Sequence, residues 1–298
     1  MSRKTILHML TPLNQMSPFD VNMALDAGYD NVIPYTNVTL ADVVSLIQDA
    51  IFSRPPDAGI ATGVFIAGKD AALALDMLDA AKKAMVPPFE ISVFADPAGS
   101  FTTAAAMVAK VEKALAKLHN RDLKGARVTI FGATGVVGYC TAVIAAKEGA
   151  NVTLVGHDGA TRVKEAASAI NKRFGVAVDA ADGSTDEKKG VLLRQSEIAL
   201  TAAKAGIQVI SASQIHSAPQ LLVVADVNAV PPAGIEGLKV DANANNLDGT
   251  GAVGIGPLSI GNVKYKTQAG LFERMIKAEK PVVFDFQDAF ALARSFAK

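Results

Sequence analysis

The run Val128-Thr129-Ile130-Phe131 stops at Gly132, and two further glycines follow at Gly135 and Gly138. Residues 139–150 then have helical spacing and close on a glycine, and a second apolar run, 151–158, follows at once. Strand, glycine turn, helix and strand make a βαβ unit whose turn presents backbone N–H groups and a helix N-terminus to a pyrophosphate. The spacing is G-x-x-G-x-x-G, one residue longer than the G-x-G-x-x-G form. A chain rich in alanine and glycine produces such triplets by chance, so the flanking strand and helix carry the inference. The alternative is a βαβ unit with no ligand.

Composition narrows the field. The 298 residues suffice for two domains of average size. Lys+Arg and Asp+Glu both count 29, so nothing in the charge balance points to nucleic acid or an anionic membrane surface. No apolar run approaches the roughly 20 residues of a spanning helix. The opening residues are basic, but their apolar stretch is too short for a signal peptide. The single cysteine, Cys140, cannot form an internal disulfide. It reads as a small buried hydrophobe in a reducing, cytoplasmic setting.

Strands alternate with helices nearly throughout, which predicts an α/β protein with parallel sheets. Strands are predicted over 4–10, 30–34, 61–66 and 90–95, with helices over 18–27, 39–52, 69–84 and 102–119. The polar turn 120–125 ends the last helix just before the glycine-motif strand and predicts a domain boundary. Beyond it, helices are predicted over 161–174 and 186–195 and strands over 176–179, 197–203 and 221–228. Residues 207–217 read as a short helix, or as a strand extended through Ile210. A glycine-rich segment spans 249–261, and 268–279 and 285–297 read as helices. The expected architecture is an N-terminal α/β substrate domain, 1–122 plus 270–298, and a Rossmann-type doubly wound domain, 123–269, with a cleft between them.

The segment that selects the dinucleotide reads Gly156-His157-Asp158-Gly159-Ala160-Thr161-Arg162. Asp158 suits a ribose 2′-hydroxyl, although it comes slightly late. His157 and Arg162 suit a 2′-phosphate. NAD, NADP or both are therefore compatible, and Arg162 also reads as a solvated helix start.

No P-loop Gly-Lys-Ser/Thr, His-Glu-x-x-His, Cys-x-x-Cys or Gly-x-Ser-x-Gly occurs, so neither a metal site nor a hydrolase nucleophile is expected. The four histidines, 8, 119, 157 and 216, form no acid–base pair with any carboxylate that spacing would bring together. Hydride transfer to give a product that needs no proton fits such a site.

Several blocks carry a family resemblance. They are Tyr35-Thr36-Asn37-Val38-Thr39, Asp96 to Ala106 with its Gly99-Ser100-Phe101-Thr102-Thr103 core, and Gly132-Ala133-Thr134-Gly135-Val136-Val137-Gly138. Asn171-Lys172-Arg173-Phe174, Ala225 to Pro232 and Gly251 to Gly256 add to them. In this order they resemble bacterial NAD(P)-dependent methylene-tetrahydromethanopterin dehydrogenases, and more closely the methylotroph form that accepts both coenzymes. The NADP-only form has Gly-Arg-Lys where this chain has Gly156-His157-Asp158.

The resemblance implies transfer of a hydride from the methylene carbon of a tetrahydromethanopterin-type pterin to NAD or NADP, in one-carbon metabolism. The first domain would bind the pterin through Tyr35, Asn37, Asp96, Gly99, Ser100 and Thr102, with Lys266. Thr103 and Lys264 would position the substrate without acting as a general base. Competing readings are open here: Thr102 and Thr103 as helix caps, either lysine as a solvated residue, and Tyr35 as a core residue. Besides residues 132–138, the resemblance implies coenzyme contacts at His157, Asp158, Arg162, Ala202, Ala203, Lys204, Ile207, Asp226, Asn228 and Gly254. A homo-oligomer, trimer or hexamer, is expected. The rival functions are a methylene-tetrahydrofolate dehydrogenase and a non-catalytic nucleotide sensor.

Overall fold

The computed structural model describes residues 4–298, which divide into two compact units. The first comprises the chain up to Thr102 together with Tyr265–Leu292. Its sheet contains β1 (Ile6–Leu10), β2 (Asn31–Tyr35), β3 (Thr62–Ile66), β4 (Ser92–Ala95) and β12 (Val283–Phe284). They lie in the order β12-β4-β3-β1-β2, and every pairing is parallel. Chain order reverses at β1, so the carboxyl ends of β1 and β3 flank a switch point. Buried on both faces, β3 and β4 are apolar without alternation. Helices α1 (Pro18–Asp26), α2 (Val43–Phe52) and α3 (Ala71–Ala84) supply the crossovers. Phe65, Phe94 and Phe272 form the aromatic centre of this core, with ring centroids 5.3–5.4 Å apart.

The second unit comprises Thr103–Lys264 and Ala293–Lys298. Its strands are β5 (Arg127–Phe131), β6 (Asn151–Gly156), β7 (Val178–Asp182), β8 (Ile198–Thr201), β9 (Val223–Asp226), β10 (Asn243–Asn246) and β11 (Val253–Ile255). The order β10-β11-β9-β8-β5-β6-β7 is a doubly wound arrangement, parallel except for β10. Helices α5 (Val136–Lys147), α6 (Thr161–Phe174) and α7 (Asp186–Gln195) connect the strands around the first half of this sheet.

Four features differ from the sequence reading. The units divide within α4 (Ser100–His119) and α9 (Pro257–Lys277), not at 122/123 and 269/270. The polar turn after residue 119 ends a helix but not a compact body, because Ala104–Val108 and Val111 are buried with the second unit. The glycine-rich segment is not one loop. It contains β11, pairs with the unforeseen β10, and runs into α9 at Pro257, where proline suits a first helical position. Residues 207–211 are extended, and only α8 (Ala212–His216) is helical, started by a reciprocal Ser211–Gln214 cap. The short β12 was not foreseen either, since two residues carry no period.

Candidate functional site

In the second unit the chain runs from β5 out through β6 to β7 and then crosses back, so that β8 lies on the other side of β5. The carboxyl ends of these strands open on a cavity of about 700 Å³. Gly132, Thr134 and Gly135 line it after β5, Val155 and His157 at the end of β6, and Ala202, Ala203 and Lys204 after β8. Ile207, Gln208 and Val209 form a further wall, and Gly183 to Asp186 with Lys189 close the side at β7.

The three glycines do different jobs. Gly132 has φ +75°, and a β-carbon there would run into the backbone of Ala202 and Ala203. At Gly138 a β-carbon would stand 2.6 Å from the Gly132 carbonyl oxygen, so this glycine lets α5 pack against the loop. Gly135 differs: its φ is −80°, and no atom lies closer than 3.4 Å to an added β-carbon. It forms the N-cap of α5, whose first-turn N–H groups have no side-chain cap. The opening of α5 is thus left uncapped, with glycine keeping the approach clear. Ala133 is buried, whereas Val136 and Val137 form the first turn of α5.

Next to His157 in the chain, Asp158 accepts from the Arg162 guanidinium at 3.1 Å. That bond holds the Asp158 carboxyl below its ordinary range. Asp182, at the end of β7, accepts from Lys188 at 2.5 Å and from the Ser184 N–H at 2.8 Å. Lys188, first among these causes, lowers its pKa to about 2. The mostly buried Lys189 ammonium donates to the Val209 carbonyl and pairs with Asp186, both at 2.8 Å. It thereby ties α7 to the 207–209 wall.

Three residues expected at the coenzyme are used inside the fold. Asp226 is 1% exposed and accepts from Thr201 Oγ1 (2.6 Å) and from the N–H groups of Asn228 (3.1 Å) and Gly234 (2.8 Å). Burial pushes its carboxyl above the ordinary range despite these bonds. Asn228 accepts from the Val230 N–H at 2.9 Å and donates to the Pro232 carbonyl at 3.2 Å, shaping the loop after β9. Gly254 faces Leu238 and Leu247 within the core. Their polarity, or their lack of a side chain, satisfies buried neighbours.

In the first unit, the fully buried Asp96 follows β4 and accepts from the Phe101 N–H (2.8 Å), the Thr102 N–H (3.1 Å) and Thr102 Oγ1 (2.7 Å). It therefore caps α4. Between cap and helix, Ala98 is exposed and left-handed at φ 52°, and Gly99 follows at φ 63°. A left-handed alanine costs roughly 1 kcal/mol and is the kind of strain found at ligand-binding turns. Ser100 is nearly buried, and Thr103 is partly so.

Tyr35 donates to or accepts from His8 Nδ1 at 3.1 Å, beside a cavity of about 200 Å³ under α2. Asn37 is left-handed at φ 56°. Lys264 and Lys266 both stand on α9, the first partly buried and the second exposed. Asp96, Gly99, Ser100 and Thr102 thus share one turn, while Tyr35 and Asn37 belong to the loop after β2. Among the described residues no group of three His, Cys, Asp or Glu could hold a metal ion. No helix there is long and apolar enough to cross a membrane.

Over 294 residues, 99% of this chain and 99% of the relative, the sequence is 55% identical to the NAD(P)-dependent methylenetetrahydromethanopterin dehydrogenase of Methylorubrum extorquens. The chain belongs to that dehydrogenase family. It is also 32% identical, over the full length of both chains, to the bifunctional protein MdtA of the same organism. Residues 18–98 match the family described as methylene-tetrahydromethanopterin dehydrogenase, N-terminal. The fold is like that of the ligand-free 5-ketofructose reductase of Gluconobacter sp. strain CHM43, with a TM-score of 0.53, 17% identity and 99% of each chain covered.

In this methylene-tetrahydromethanopterin dehydrogenase family member, sequence reasoning missed one wall of the cavity, Gly183 to Asp186 with Lys189. The available signal was Ser184-Thr185-Asp186 at a strand end, a helix-start pattern. The side chains of Phe131, Val155, Gln208 and Val209 were missed as well. They carry no chemistry that would mark them before the fold brings them together.

Proposed function

We propose that this chain oxidises methylene-tetrahydromethanopterin to the methenyl compound, passing a hydride to NAD⁺ or NADP⁺. The observation that carries this reading is the open glycine-lined turn at the β5/β8 switch point, in a chain 55% identical end to end to an NAD(P)-dependent dehydrogenase.

The residues present fit a dinucleotide. Gly132 and Gly138 allow close backbone packing, Gly135 leaves the start of α5 open, and the cavity has room for an adenosine. In this reading the Gly132–Gly138 loop holds the pyrophosphate. Val155, Ile207 and Val209 enclose the adenine, and Ala202 to Lys204 border the path towards the nicotinamide. When bound, the coenzyme supplies the carbon that accepts the hydride.

The hydride carries both electrons of the broken C–H bond, and the positive charge left on the methenyl carbon is shared with the substrate's own adjacent nitrogens. No proton moves, so no general base is needed. The chain's task is to orient the two rings and exclude water. We assign substrate positioning to Thr103 and Lys264, and pterin contacts to Tyr35, Asn37, Gly99, Ser100 and Lys266. Asp96 and Thr102 hold the 97–101 turn in shape. The even charge balance and lone buried cysteine support a cytoplasmic setting, and the resemblance supports a homo-oligomer, trimer or hexamer.

The test is the rise of reduced-nicotinamide absorbance when methylene-tetrahydromethanopterin or methylene-tetrahydrofolate is paired with NAD⁺ or NADP⁺. Turnover of the methanopterin substrate is expected. Turnover of the folate alone would move the chain to the other enzyme class, and silence with intact coenzyme binding would make it a sensor.

A further inference from the structure

In the first unit, α2 and the sheet enclose the cavity of about 200 Å³ next to His8. Its inner wall is apolar: Leu10 on β1, Ile47 on α2 and Val64 on β3 are each 1% exposed or less. Tyr35, at the end of β2, forms the outer wall with the exposed Asp49 and Ser53. A cavity of about 150 Å³ is enough for a benzene ring, so this one has room for a single aromatic ring with a small substituent.

The polar groups around this cavity are unevenly matched. Tyr35 and His8 Nδ1 bond each other at 3.1 Å, and Ser53 Oγ donates to the Ala50 carbonyl at 2.8 Å. Asp49 differs: among the described residues nothing donates to its carboxylate and no cation pairs with it. It stands in the last turn of α2, which has no basic residue and where the helix dipole disfavours negative charge. Arg54 is engaged elsewhere, its Nη1 donating to the Lys4 carbonyl at 3.1 Å and the Ala61 carbonyl at 3.5 Å. Burial, and then the Arg54 charge, lowers the His8 pKa, so the imidazole is neutral at neutral pH and supplies no counter-charge.

An apolar slot one ring wide, with an unmet carboxylate at its rim, selects for a flat apolar body that carries a positive charge at one edge. The geometry points to a binding site in the first unit, separate from the coenzyme cavity, for a single-ring aromatic bearing an amidinium or ammonium group. The ring lies against Leu10, Ile47 and Val64, which gain the contacts an empty slot denies them. The cationic edge donates to Asp49, and an amidinium does so with two parallel N–H groups. A bare metal ion fits the same place poorly, since it gains nothing from the apolar wall and no group of three His, Cys, Asp or Glu surrounds it. The site stands independently of the coenzyme reading above.

The experiment is ligand-observed NMR titration of the full-length protein with benzamidine, and with benzyl alcohol as a neutral probe of similar size, for the wild type, D49N and A50L. Benzamidine should bind the wild type with a Kd of about 1 mM, as suits so small a ligand. D49N should weaken benzamidine by about tenfold, the worth of one charge-assisted contact, and leave benzyl alcohol within about twofold. A50L puts a larger side chain into the slot and should abolish both, with a melting curve that checks its fold. Wild-type protein unsaturated by benzamidine at about 10 mM overturns the proposal. So does D49N that binds benzamidine as the wild type does, or folded A50L that still binds it, since the probe would then sit elsewhere.

Discussion

Gly138 sits so close beneath Gly132 that a β-carbon at 138 would stand 2.6 Å from the Gly132 carbonyl oxygen, whereas the same atom at Gly135 would meet nothing nearer than 3.4 Å. One glycine serves packing and the other serves access. G138A should therefore cost about 2–4 kcal/mol of folding stability, measured by urea unfolding. G135V should keep a near-wild-type unfolding midpoint yet weaken coenzyme binding by at least about tenfold. Normal coenzyme affinity in G135V would refute the placement of the pyrophosphate.

Asp96 makes three hydrogen bonds at the start of α4 while fully buried. D96A leaves the Phe101 and Thr102 N–H groups without their acceptor, and the Thr102 hydroxyl with the Gly99 carbonyl alone, and should destabilise the fold by about 2 kcal/mol. D96N keeps an oxygen for the backbone donors and should recover roughly half of that. Equal melting temperatures for D96A and wild type would mean that the cap contributes nothing.

His8, bonded to the Tyr35 hydroxyl, has its pKa held below the usual 6.5 by burial and then by the Arg54 charge. The unfolded chain thus takes up a proton at this position before the folded one does. The contribution is whole above pH 6.5 and is lost as pH falls below that value. H8Q should flatten the stability-against-pH curve just below pH 6.5, as read by denaturant titration at several pH values. An unchanged slope would show that another group sets it.

The Lys189 ammonium joins α7 to the Val209 carbonyl across the cavity wall. K189M keeps the apolar stem but loses that tie. It should weaken NADH and NADPH alike by roughly three- to tenfold. It should leave their ratio untouched. A change in the ratio would place Lys189 at the 2′ position instead.

The βαβ unit around residues 128–156 was legible in the sequence because its signals are local. A β-branched run, glycines at fixed offsets and a helical period all lie within one short stretch. The alternation of strand and helix, and the use of parallel sheets, followed for the same reason. Short or irregular pieces were not legible. β10 and β12 have too few residues to show a period, and the glycines from 249 to 261 read as a loop although β11 and the start of α9 lie among them.

The tertiary structure alone decided which polar residues are available to a ligand. Asp96 and Asp226 look as reactive in the sequence as Asp158 and Asp182, yet the first two are consumed by buried hydrogen bonds and the last two stand half in water. It also decided that β8 lies beside β5 and β7 beside β6, so that Ala202 to Lys204 and Gly183 to Lys189 share a cavity with Gly132. Local periodicity specifies the pieces. Strand pairing between distant segments, and the burial it imposes, depend on contacts that no stretch of sequence contains by itself.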